Sequence, residues 1–274
     1  MIPSLIQRYP FLSYVLLAYA LTWSLTVPLA LSSRGLIDVD VPHAAEMLAA
    51  FGPLVAALLV MKALRGAAGV TKILRGMLHW RVPKVWLLFS CLSPFLLLVI
   101  AVAISWVSTG QQPQFVTEKS LHYLTAIGLF ELVVVGGMVQ GFGEEPGWRG
   151  FAIPWLRKSR GPLLASLVLF PFWMFWHLPQ FLSRPEFGIV QFMGFGLGIL
   201  SATIWLTLIH DKTQSILMAA IWHTVVNVAR NMALAISVPM FLTFNMLVTV
   251  GALAVVSYWV ITRKQQGPLG DTLA

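Results

Sequence analysis

The feature that most constrains this chain is its division into blocks of about twenty apolar residues joined by short polar connections. A helix needs about 20 residues to cross some 30 Å of hydrocarbon. Only helices and closed barrels satisfy every backbone polar group there. The blocks lack the apolar–polar alternation of barrel strands, so the expected fold is all-α: a polytopic integral membrane protein of about eight transmembrane helices. The candidate spans are about 10–31, 44–64, 84–107, 121–142, 162–182, 189–209, 214–236 and 239–261. Composition agrees, since 58% of residues are hydrophobic and only 10% charged, against about a quarter charged in soluble domains.

The connections are short and no internal repeat is visible, so residues 1–274 are read as one membrane domain. The first block, "FLSYVLLAYALTWSLTVPLAL", is longer than a signal-peptide core and is read as a retained span. One cysteine, Cys91, allows neither an internal disulfide nor a cysteine metal cluster. The net charge of +8 is assigned to topology and anionic lipid rather than to nucleic acid. Arg8, Lys62, Arg65, Lys72, Arg75, Arg81, Lys84, Arg149, Arg157, Lys158, Arg160, Lys212, Arg263 and Lys264 fall on one side. Only Arg34, Lys119, Arg184 and Arg230 fall on the other. The asymmetry predicts both termini in the cytoplasm. "VTKILRGMLHW" (70–80) is too polar to span and reads as an amphipathic helix on the cytoplasmic leaflet. The tail "RKQQGPLGDTLA" is polar.

Against this background "GFGEEPGWRGF" (141–151) stands out, with adjacent carboxylates Glu144 and Glu145 and then Arg149. Ionisable residues beside hydrocarbon are usually paired and functional. Glu145 and Arg149 are four apart, as are His223 and Asn227 in "HTVVN", and such pairs share a helix face. Counting from the polar connections, Glu144 lies about 20 Å deep, His177 about 24 Å, and His223 and Asn227 about 16 and 22 Å. Three helices thus bring polar groups to one depth. That estimate needs a helix running through Pro146, which itself favours a kink or a new helix start. Glu131 reads as an outer-interface or helix-bonding residue, "FPFWMFWH" as packing aromatics, and Gly194 with Gly198 as a close-packing pair. His79 and His210 read as near-surface residues.

Peptide hydrolysis fits two glutamates, two histidines and an asparagine in a membrane cavity, because it needs a base for water and donors for an oxyanion. The H-E-x-x-H zinc motif is absent, as is a G-x-S-x-G nucleophile. Asp38, Asp40, Asp211 and Asp271 lie in connections or the tail, so no membrane aspartyl dyad is available. A proton-relay transporter or non-catalytic scaffold is the competing class. The polar residues all fall in the second half with no matching first half, which favours a single catalytic site.

These residues resemble the CPBP family, which comprises CAAX prenyl endoproteases and bacteriocin-processing enzymes and is also called the Abi family. Its pattern is EExxxR, then FxxxH, then HxxxN. "EEPGWR" matches the first at Glu144, Glu145 and Arg149; "WMFWH" matches the second with Trp173 in place of the usual Phe; "HTVVN" matches the third. The resemblance covers about 120–235, expected as the catalytic core. It implies an intramembrane endopeptidase acting on a membrane-associated or lipidated protein or peptide, with a cavity open to cytoplasm and bilayer. Glu144 would activate water, His177 would help to hold it, and His223 with Asn227 would stabilise the oxyanion. Glu145, Arg149 and Trp173 would support them. No cofactor is the preferred expectation, with zinc on Glu145, His177 and His223 as the alternative. "GEEPGWRGF" resembles prokaryotic members, which implies a prokaryotic plasma membrane.

Overall fold

The computed structural model describes residues 2–42, 44–110, 112–184 and 186–262. Arg263, Lys264, Asp271 and the polar tail lie outside the described residues; among the described residues no strand occurs. The expected spans are largely helical, with breaks at residues 50–51, 123–125 and 177. We label the helices α1 (Pro10–Ser33), α2 (Gly52–Met77), α3 (Lys84–Thr109), α4 (Val139–Gly147), α5 (Pro162–Trp176), α6 (Ile189–Thr213), α7 (Ile216–Ile236) and α8 (Val238–Ile261). Six helical stretches are long and apolar enough to cross a membrane: α1, Ala44–Met77, α3, Ala126–Arg157, α6 and α8. Helix α5 has only 15 residues, continued past His177 by Leu178–Leu182, and α7 carries the polar HTVVN face. The protein is therefore a polytopic all-α membrane protein.

The helix bearing the two glutamates does not break at Pro146. Helix α4 follows a π-helical stretch, Glu131–Met138, and runs into a second, Trp148–Ala152, before Ile153–Arg157 closes it. Pro146 contributes no donor, yet Trp148 N–H reaches the carbonyls of both Glu144 and Glu145 and keeps the helix continuous. Such π-turns are rare and gather at functional sites.

The glycines expected to loosen this stretch instead seat it. A Cβ on Gly141 would lie 2.5 Å from the Ala220 carbonyl of α7, and one on Gly143 would lie 2.6 Å from the Ala50 carbonyl. Only glycine permits that backbone approach, so α4 sits in the middle of the bundle against α2 and α7.

Several expectations change. Helix α2 bends at Gly66, which takes the left-handed φ of 61°. The stretch expected at 70–80 is helical from there to Met77, with Ile73 buried and Leu74 and Leu78 exposed. Gly194 and Gly198 make no close contact, since a Cβ on either would meet nothing within 4 Å. The His210 side chain is buried, beside one of the clefts at the basic end of the bundle. Arg149 and Arg230 were counted as topology-setting residues, but both are held in the bundle by partners described below. Glu131 pairs with His122 at 2.8 Å on an exposed edge.

Candidate active site

Glu144, Glu145 and Arg149 all project into the core from α4 and the turn after it. Their relative exposures are 3%, 0% and 0%. The i, i+4 pair forms: Arg149 Nη1 donates to Glu145 Oε1 at 3.0 Å. The guanidinium also lies over the Trp173 ring, 4.4 Å from its centroid. Stacking and charge pairing together hold a cation that hydrocarbon would otherwise expel.

Glu145 Oε1 accepts a second bond, from His223 Nδ1 of α7 at 2.8 Å. A carboxylate on Nδ1 fixes the tautomer of a neutral imidazole and leaves its lone pair on Nε2. The bond is the link between α4 and α7 that spacing could not show.

Trp173 joins the remaining two motif residues. Its indole Nε1–H donates to Glu144 Oε2 at 2.7 Å, a length typical of a charge-assisted bond. Its carbonyl accepts from His177 Nδ1 at 2.9 Å. Nδ1 is therefore the protonated nitrogen of a neutral His177, and Nε2 carries the lone pair. The ring is wedged edge-on between Trp176 and Phe195, with centroids 4.6 and 4.9 Å away. The aromatics of "FPFWMFWH" thus pack as expected, but one of them also donates to a carboxylate. The substitution of Trp for the usual Phe adds that donor.

Asn227 lies one turn beyond His223 and bonds other residues. Its Nδ2 donates to Gln140 Oε1 at 2.5 Å, and its Oδ1 accepts from Arg230 Nη1 at 3.0 Å. Gln140 is not singled out in the sequence, and Arg230 reads there only as a topology-setting cation. Gln140 sits four residues before Glu144 on the same helix face, and Arg230 three after Asn227, so the spacing signal existed for both.

The structure thus gathers Glu144, Glu145, Arg149, Trp173, His177 and His223 through one chain of contacts. Asn227 joins them through its place on α7. In the set considered for zinc, Glu145 Oε1 is taken up by Arg149 and His223, while both histidines bond through Nδ1 and keep Nε2 free, and Glu145 Oε2 has no hydrogen-bond partner among the described residues. Among the described residues no group of three or more His, Cys, Asp or Glu side chains converges as metal ligands. Two clefts share Lys72, Gly76 and Gln214 at the basic end of the bundle, and no motif residue lines either.

Residues 126–229 match the model of the family described as type II CAAX prenyl endopeptidase, Rce1-like. The matched segment contains all three motifs and is similar to the domain of that family. No curated protein matches the chain.

Proposed function

We propose that this protein hydrolyses a peptide bond of a membrane-associated or lipidated substrate, using water activated by Glu144 within a core spanning about 120–235. The observation that carries the reading is the double role of Trp173. It holds one Glu144 oxygen through its indole and sets the His177 tautomer through its carbonyl. Glu144 Oε1 is left to take one proton from the water, and His177 Nε2 is left to accept a hydrogen bond from its other O–H. A water held by these two groups attacks the scissile carbonyl. Glu144 then carries the proton to the leaving amine.

The negative charge that develops on the carbonyl oxygen needs donors. His223, oriented by Glu145, donates from Nε2 when protonated. Asn227 donates from Nδ2 once substrate displaces Gln140. Glu145 and Arg149 act as positioning residues: one aims His223, and the other holds Glu145. No metal is required in this scheme, and none of its steps runs through one. The cavity opens towards the cytoplasm in this reading, with residues 67–77 resting on that leaflet. A prokaryotic plasma membrane remains the proposed location.

The test replaces Glu144 with Gln, which keeps the shape and the Trp173 bond but removes the base. Candidate peptides fused to a reporter are presented to purified protein in liposomes. Cleavage by the wild type and none by Glu144→Gln is the expected result. Equal turnover by both removes Glu144 from the mechanism.

A further inference from the structure

The basic end of the bundle holds two adjoining clefts that the catalytic set does not use. Helix α2 bends at Gly66 and continues to Met77, and residues 78–83 lead from it into α3. A cleft of about 500 Å³ lies there, lined by Lys72, Arg75, His79 and Arg81 together with Trp80 and Gln214. A second cleft, of about 110 Å³, shares Lys72, Gly76 and Gln214 with the first. Arg65 and Lys158 line it too, but much of its wall is apolar, from Met61, Leu64, Phe151, Pro154 and Trp155. No acidic side chain among the described residues lines either cleft.

The first cleft is a fixed part of the fold. Ser215 Oγ donates to the His79 carbonyl at 2.5 Å and accepts from the Met218 N–H at 3.1 Å. The cap of α7 therefore also holds the 78–83 connection in place. Gln214, which lines both clefts, takes a left-handed φ of 52°, a conformation uncommon outside glycine. Its Nε2 donates to the carbonyls of His210 and Asp211, each at 3.3 Å. His210 adds a separate observation. It lines the second cleft, is only 5% exposed, and its Nδ1 has no hydrogen-bond partner among the described residues. A buried polar atom without a partner is costly, and one in the wall of a cleft can be satisfied by what enters.

The surroundings say what kind of molecule that is. Guanidinium and ammonium groups bind phosphate oxygens. Leu78 and Trp80, both lining the first cleft, are 74% and 63% exposed. In a membrane protein, exposed apolar and aromatic side chains beside cations belong at the lipid interface. An apolar cleft next to a cationic one suits a molecule that carries both kinds of surface. The quaternary ammonium of a zwitterionic headgroup would meet only like charge there.

We propose that the two clefts form one stoichiometric site for an anionic phospholipid. Its phosphate lies among Lys72, Arg75 and Arg81, and its glycerol-ester region enters the apolar cleft towards His210. The site is independent of the chemistry at Glu144. It also differs from the diffuse attraction of basic residues to a charged leaflet, which any cation at that surface supplies.

The experiment uses the full chain, delipidated in detergent. It is titrated with phosphatidylglycerol and with phosphatidylcholine of the same acyl chains, and bound lipids are counted by native mass spectrometry. The expected result is one phosphatidylglycerol bound about tenfold or more tighter than phosphatidylcholine. Lys72→Gln/Arg75→Gln should bring that preference to within about twofold. Lys62→Gln/Lys84→Gln removes the same charge from outside both clefts and should keep it. All four side chains belong to exposed residues, so neither variant disturbs the core. Thermal melting gives a second reading, because a ligand of the folded state raises Tm. Phosphatidylglycerol should raise the Tm of the wild type and of Lys62→Gln/Lys84→Gln more than that of Lys72→Gln/Arg75→Gln. Glycerol 3-phosphate is the soluble competitor and should not displace the lipid.

Equal binding of the two lipids overturns the proposal, as does a preference that persists in Lys72→Gln/Arg75→Gln. An equal loss of preference in Lys62→Gln/Lys84→Gln reduces the effect to diffuse attraction and overturns the site. Displacement of the lipid by glycerol 3-phosphate at the same concentration overturns the lipid claim and assigns the clefts to a soluble phosphate ester.

Discussion

Replacing Arg149 with Ala should destabilise this protein far more than breaking an exposed ion pair, and the structure states how much more. Arg149 is fully buried and shares Glu145 Oε1 with His223. Truncating it leaves a buried carboxylate with only an imidazole for company. Half-removal of a buried pair costs about 3–5 kcal/mol. Loss of the stack over Trp173 adds roughly 0.5–2 kcal/mol. A loss near 4 kcal/mol is about three orders of magnitude in the folding equilibrium. The internal control is Glu131→Gln, which breaks the pair with His122, whose side chains are 45% and 53% exposed for His122 and Glu131. Exposed pairs contribute about 0–1 kcal/mol.

The assay is equilibrium unfolding in mixed micelles, followed by the fluorescence of the chain's 11 tryptophans. A further sign tests the cause. Glu145 Oε2 and Arg149 Nη2 have no hydrogen-bond partner among the described residues, so the pair is incompletely satisfied. Removing both charges in Glu145→Gln/Arg149→Met should therefore cost less than Arg149→Ala alone. An Arg149→Ala protein within about 1 kcal/mol of wild type would refute the buried-pair argument. If it melts normally yet is inactive, Arg149 belongs with the groups that touch substrate.

Two further outcomes follow from the same geometry. Asn227→Ala should lower the chemical rate by roughly 10²–10³ with little change in substrate binding; a matching rise in KM with kcat intact would reassign Asn227 to binding. Elemental analysis of protein shown to be active should find well under one zinc per chain, with activity surviving prolonged chelation. Stoichiometric zinc in the wild type that is lost in His177→Ala would make the enzyme a metalloprotease.

The helices were legible because hydrocarbon length dictates block length, and the blocks in this chain are cleanly bounded. The course of the chain through "GFGEEPGWRG" was not. Local rules at Pro146 allow a break as readily as a continuous helix. What decides is the approach of Gly141 to Ala220 and of Gly143 to Ala50, contacts with partners 79 and 93 residues away in sequence. Spacing within one helix could not reveal them.

The same division explains the site. Pairs on one helix were readable from their interval, and Glu145 with Arg149 is such a pair. His223 and Asn227 do share a face, but each bonds away from the other: His223 to Glu145 on α4, and Asn227 to Gln140 and Arg230. Helix rotation and depth choose those partners, and neither is written in a single helix's pattern. Hydrocarbon nevertheless narrows the choice, because a polar atom there must find a protein partner. The intramembrane polar residues of a chain this apolar are few. Each one left without a partner of opposite charge is then informative. Two such residues stand out here: Arg230 bonds two amides where Arg149 and Arg157 each bond a carboxylate, and Glu144 is held by a neutral indole.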